Sequence, residues 1–114
     1  MSDCLFCQII AGTIPSNKVL DTDDFFGFRD VNPQAPQHIL IIPKRHIERH
    51  AELQESDALL IGRMMVQASL LAHELGMDEQ GYRLVINNGA QAGQSVWHLH
   101  LHILSGRPFR WPPG

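Results

Sequence analysis

The chain has 114 residues, 44% of them hydrophobic and 18% charged, with a formal net charge of −3. These values fit one folded domain spanning 1–114, with a single core and a size that gains from an oligomeric interface. Scattered Lys and Arg speak against a nucleic-acid-binding surface, and without a long apolar run, signal peptide or lipidation motif the expected location is cytoplasmic.

Asp3 to Ala11 reads as a short helix capped by Asp3, with Leu5, Ile9 and Ile10 as apolar contacts and Gly12 ending it. Lys18–Asp21 and Phe25–Asp30 read as strands joined by an acidic turn over 21–24. Asn32-Pro33-Gln34-Ala35-Pro36 is a loop, because each proline restricts the residue before it and removes a donor. His38–Ile42 is a buried strand stopped by Pro43. One long helix is expected over Ser56–Leu75, capped by Ser56 and terminated by Gly76. Its apolar stripe is Ile61, Met64, Ala68, Leu71 and Leu75, and Met64 and Met65 read as core filler. Tyr82–Asn87 is a further strand, and a glycine-containing loop over 88–95 leads to a last strand over Trp97–Leu104. The order of elements describes an α+β meander rather than a βαβ series.

That last strand carries His98, His100 and His102 at every second position, with Leu99, Leu101 and Ile103 between them. Strand side chains alternate, so the three imidazoles are expected on one face, about 7 Å apart, and the aliphatic residues in a core. A solvated strand face would ordinarily mix Thr, Lys, Glu and Ser. Two chemistries remain open for such a row. Alternating histidines can bind zinc or copper. Neutral imidazole is also a nucleophile toward phosphorus and a leaving group in the following step. The preceding loop favours the second, since Gly89 and Gly93 can bring backbone N–H groups close to a phosphate and Ser95 can donate a hydrogen bond. Cys4 and Cys7 form a C-x-x-C pair, which in a reducing compartment is a metal half-site or two thiols rather than a disulfide. His50 and His73 have no such company and read as ordinary surface or helix histidines.

The run from Gly93 to Leu104 resembles the signature of the histidine triad superfamily. Phe28-Arg29-Asp30, Pro33–Pro36, His38–Lys44 and the ending Trp111-Pro112-Pro113-Gly114 are similar to one branch of it, the histidine triad nucleotide-binding proteins, which are purine nucleoside phosphoramidases. The resemblance runs from about Cys4 to Gly114. It implies a five-stranded antiparallel sheet with one long and one short helix, and a homodimer whose sheets join into one of ten strands. It also implies hydrolysis of the P–N bond between a purine nucleoside monophosphate and an amine, with no metal required for catalysis. By motif position, His100 would be the nucleophile that forms a nucleotidyl-histidine. His98 and His102 would bind and orient it, His38 would support it from the neighbouring strand, and Ser95 would assist the leaving amine.

For the nucleotide, the resemblance implies Asp30 on the ribose hydroxyls, a pairing in which one carboxylate satisfies two donors. Phe28 and Val31 would pack on the base, with Ile9 among the neighbours that shape its pocket. Asn87, Gly93, Gln94 and Ser95 would surround the phosphate together with His100 and His102, and Trp111 would reach the partner subunit's pocket. Some members carry a structural zinc, whose ligands here would be Cys4, Cys7, His46 and His98; the alternative packs Cys4 at a helix start and Cys7 as a small hydrophobe. Two other functions use the same residues: hydrolysis of dinucleoside polyphosphates, and nucleotide binding with little turnover. A nucleotidyltransferase is disfavoured by length.

Overall fold

The computed structural model describes residues 3–114. Helix α1 (Leu5–Ala11) leads into strands β1 (Lys18–Asp21), β2 (Phe25–Arg29) and β3 (Gln37–Pro43), then helix α2 (Ala58–Glu74), β4 (Tyr82–Val85) and β5 (Leu101–Ser105). The strands form one antiparallel sheet in the order β1-β2-β3-β5-β4. This is the expected α+β architecture.

β3 lies at the centre of the sheet, and its apolar run is buried on both faces. Ile39 and Ile41 join Leu99, Leu101 and Ile103 under α2, which contributes Met64, Ala68, Leu71 and Ala72. Leu40 and Ile42 face the other way and meet Phe6, Ile9, Phe26 and Phe28 under α1. A strand covered on both faces must be apolar throughout, as Ile39–Ile42 are. His38 and His102 share parity with the second face, so strand alternation delivers both to the α1 side.

Several boundaries differ from the sequence reading, each for a local reason. The cap of α1 is Cys4, whose Sγ accepts the Cys7 N–H at 3.4 Å, and not Asp3. Gly12 closes the helix in the left-handed region at φ 82°. Ser56 does not cap α2; a 3-10 turn over Glu55–Asp57 precedes it. There the Gln54 N–H donates to Asp57 Oδ2 at 2.9 Å, and the Gln54 side chain accepts in return from the Asp57 backbone. Met64 is buried, whereas Met65 is 40% exposed, because neighbouring helical residues point about 100° apart.

β4 ends at Val85, two residues short of the expected end. The largest difference is in the histidine segment. β5 begins at Leu101, not Trp97, because the Leu99 N–H donates to the Ile47 carbonyl at 2.6 Å instead of entering the sheet ladder. No helix among the described residues is long and apolar enough to cross a membrane.

Candidate active site

A cleft of about 410 Å³ opens between α1, the end of β2 and the start of β5. Phe6, Ile9, Phe28 and Leu40 are part of its apolar wall; Ser16, Arg29, Asp30, Ser95, His100 and His102 are its polar residues. His98 is not among them. It is fully buried, its ring edge-on to Phe6 and to His46. The expected single face of three imidazoles is thus divided, with His100 and His102 at the cleft and their ring centroids 5.0 Å apart. The break in the ladder at Leu99 is the cause.

Hydrogen bonds assign the tautomer of each ring. His100 Nδ1 lies 2.7 Å from the His98 carbonyl oxygen, an acceptor only, so Nδ1 carries the proton and Nε2 keeps its lone pair. The Gln34 backbone N–H donates to His38 Nδ1 at 3.0 Å, which puts the His38 proton on Nε2. His38 Nε2–H then donates to His102 Nδ1 at 2.9 Å, with the Asp30 carboxylate 3.5 Å away. His102 is left with its proton on Nε2, a buried atom without a partner among the described residues. An orphaned donor in the wall of a cleft asks for an acceptor from a ligand. The site therefore offers one nucleophilic lone pair and one N–H from adjacent rings.

Burial keeps these rings neutral. It is the largest cause lowering the affinity of His38, His98 and His100 for a second proton, opposed at His38 by Asp30 and at His100 by the bond to the His98 carbonyl. His102 is pushed down to about 4, by burial first and then by the neighbouring His100 and His38. Every ring is thus in the uncharged form the tautomer assignment requires.

The loop before the histidines works differently from expectation. Gly89 (φ 91°) and Gly93 (φ 95°) adopt the positive φ open to glycine on either side of a 3-10 turn over Ala90–Ala92. The N–H groups of Ala92, Gly93 and Gln94 are spent on carbonyls of Gly89 and Ala90 inside the loop. The Gln94 side chain, only 4% exposed, accepts the Gly89 N–H at 2.9 Å and donates to the carbonyls of Glu48 (2.9 Å) and Val96 (3.1 Å). Gln94 is a staple for the loop, and the residues presented to the cleft are the two that follow, Ser95 and Val96.

Of the other expected nucleotide contacts, Phe28, Asp30 and Val31 line the cleft; Asn87, Gly93 and Trp111 lie outside its wall. Val31 is 99% exposed at the rim, and Trp111 is 83% exposed near the C-terminus. Asp30 is half-buried, and its Oδ1 accepts the Asn32 N–H at 2.8 Å. Two residues escaped the sequence reading. Phe6 sets its ring edge-on to His100 (centroids 5.1 Å apart, 89°) and to Phe28, but one aromatic residue in a short helix carries no signal of this. Gln34 acts through its backbone, where residue type leaves no trace.

Cys4, Cys7, His46 and His98 come together, with their ligand atoms all within 4.8 Å of one another. His98 Nδ1 is 3.3 Å from Cys4 Sγ, 3.6 Å from Cys7 Sγ and 3.2 Å from His46 Nδ1. His98 Nε2–H donates to the Pro43 carbonyl at 2.8 Å, so the Nδ1 lone pair faces the two sulfurs. Two thiols and two imidazole nitrogens, with the His98 ring already oriented by the Pro43 carbonyl, fit a tetrahedral zinc. Asp30, His38 and His102 also converge, but there the proton on His38 Nε2 already serves the hydrogen bond to His102.

The HIT domain family model matches residues 11–109. An uncharacterized HIT-like protein of Synechocystis is 49% identical over 112 residues, covering 98% of this chain and 97% of that protein. A 14 kDa zinc-binding protein of Brassica juncea is 42% identical over 121 residues, covering 98% and 100%. Among solved structures, a HIT family hydrolase from Legionella pneumophila superposes with a TM-score of 0.96 at 46% identity, covering 98% of this chain and 100% of that one. A histidine triad nucleotide-binding protein from Candida albicans gives 0.82 at 33% identity, covering 96% and 83%.

Proposed function

This chain belongs to the HIT family, and from that premise we propose that it is a purine nucleoside phosphoramidase, cleaving P–N bonds to give nucleoside monophosphate and amine. The observation that carries this reading is the tautomer set: a lone pair on His100 Nε2 beside an unpartnered donor on His102 Nε2. In the first step His100 Nε2 attacks phosphorus and the P–N bond breaks, the nitrogen taking a proton from solvent as it leaves as the amine. His102 Nε2–H donates to a non-bridging oxygen, and the Ser95 hydroxyl hydrogen-bonds the departing nitrogen. The His98 carbonyl stabilises the charge that develops on the His100 ring through its bond to Nδ1–H. Water then attacks the nucleotidyl-histidine, the N–P bond to His100 breaks, and the proton lost by the water returns to solvent, restoring neutral His100. The base sits against Phe28 and Ile9, and Asp30 accepts the ribose hydroxyls at the mouth. Positioning and charge stabilisation are the main contributions expected for this reaction class.

Cys4, Cys7, His46 and His98 would hold a structural zinc. Its chemistry would be to keep both thiolates ionised while tying the start of α1 to the His46 and His98 segments. The similarity to a zinc-binding protein of Brassica juncea supports zinc as the ion held there. A homodimer with a ten-stranded sheet would join at β4. The other edge strand, β1, is guarded by the charges of Lys18 and Asp21 and by an irregular register with β2, whereas the one charge on β4, Arg83, lies over the Phe109 ring.

Hydrolysis of adenosine 5′-phosphoramidate by wild type and His100→Ala tests the reading. Turnover in the wild type, lost in the variant while adenosine monophosphate still binds, supports it. A folded wild type that binds the nucleotide but does not cleave the phosphoramidate refutes it, and cleavage of a dinucleoside polyphosphate instead would give the alternative.

A further inference from the structure

The His38 tautomer depends on the loop before it, and that loop is held from outside the site. Gln34 donates its backbone N–H to His38 Nδ1 at 3.0 Å, and its carbonyl on the opposite side accepts Arg107 Nε–H at 3.0 Å. Arg107 is itself fixed twice: its second guanidinium nitrogen donates to the Pro108 carbonyl at 3.0 Å, and the guanidinium lies 4.4 Å over the Phe109 ring. Arg83 also sits over that ring, at 5.2 Å, and donates to the Arg110 carbonyl at 2.9 Å. Next to Arg107, Gly106 (φ 99°) packs so close to the loop that a Cβ there would come 2.7 Å from the Pro36 side chain. The segment after β5 therefore clamps the loop of residues 32–36.

We propose that Arg107 is a positioning residue for the active site, acting through Gln34 to hold His38 in the tautomer that makes His102 Nε2 a donor. The inference rests on the reading that His38 and His102 serve the His100 nucleophile. Arg107 touches no group of the cleft and is exposed. Its effect passes along a continuous row of donors: Arg107 Nε–H to Gln34 O, Gln34 N–H to His38 Nδ1, His38 Nε2–H to His102 Nδ1. If Gln34 swings away, Nδ1 loses its donor, and only the Asp30 carboxylate, 3.5 Å from Nε2, still favours a proton there. With the proton on Nδ1, His38 Nε2 becomes an acceptor, His102 must donate from Nδ1, and the N–H at the cleft is lost.

The test is the imidazole ¹⁵N spectrum of Arg107→Ala, which distinguishes Nδ1–H from Nε2–H at each ring, read with steady-state kinetics on adenosine 5′-phosphoramidate. In wild type, His38 and His102 both report Nε2–H. In Arg107→Ala both rings report mixed tautomers, kcat falls about tenfold with KM little changed, and Arg107→Lys, whose ammonium can reach the same carbonyl, recovers most of both. Unaltered His38 and His102 spectra in a folded Arg107→Ala protein overturn the proposal, whatever the kinetics show. A tautomer change in a protein whose wild type has no phosphoramidase activity upholds the clamp while refuting the assigned reaction.

Discussion

Acid should destabilise this protein through His102, and by an amount the structure sets. The half-buried ring packs between His38 and His100, and its pKa is pushed from 6.5 down to about 4, by desolvation first and then by those two neighbours. Between those values the unfolded chain binds a proton at this position and the native one does not, so stability falls as pH falls. Above the unfolded value both states are neutral and the contribution is complete. By pH 5 the loss from His102 alone is about 2 kcal/mol, and it approaches about 3 kcal/mol as pH nears the native value. Urea unfolding at pH 7.5 and pH 5, for wild type and His102→Gln, isolates this residue, because the remaining titrating groups are common to both. The wild type should lose about 2 kcal/mol more than the variant over that interval. Equal losses would refute the reasoning that the fold holds this ring neutral against protonation.

Gln94→Ala should cost about 2–3 kcal/mol in chemical denaturation, because three backbone groups lose a partner in a buried setting; an effect under about 0.5 kcal/mol would mean that water replaces the amide. Asp57→Ala removes the acceptor of both the Gln54 N–H and the Arg45 guanidinium at the start of α2 and should cost about 1–2 kcal/mol, read as a lowered urea midpoint at unchanged slope. Cys7→Ser should abolish stoichiometric zinc in metal analysis of the purified protein and lower its thermal midpoint. A variant that retains one zinc per chain would remove Cys7 from the ligand set.

What could be read in advance follows a physical divide. The apolar run of β3 and the 3-4 spacing on α2 are burial patterns, and burial is written in side-chain type, so Ile39–Ile42 and Met64, Ala68 and Leu71 went where the pattern directs. Cys4, Cys7, His46 and His98 converge as their resemblance implied, because ligand atoms are side-chain atoms too. Apart from Met65, which lies outside the stripe, the errors concern backbone partners. An H-x-H-x-H run looks the same whether its N–H groups pair within a sheet or, like that of Leu99, reach for Ile47. The loop amides were expected to face a ligand and instead satisfy one another, with Gln94 turned inward to hold them. Gln34 acts through main-chain atoms that any residue would supply.

The late start of β5 has a consequence for anyone moving this motif elsewhere. In a regular antiparallel strand the carbonyl of the first histidine would be claimed by a neighbouring strand, and the ring two residues on would have no fixed acceptor for its Nδ1–H. Here the chain stays out of the ladder until Leu101, and the His98 oxygen is released to orient the His100 ring. Grafting three alternate histidines onto an ordinary strand would reproduce the sequence and yield rings of arbitrary tautomer. The transplantable unit is the irregular stretch with its anchor at Ile47, so a designer must copy the interruption along with the imidazoles.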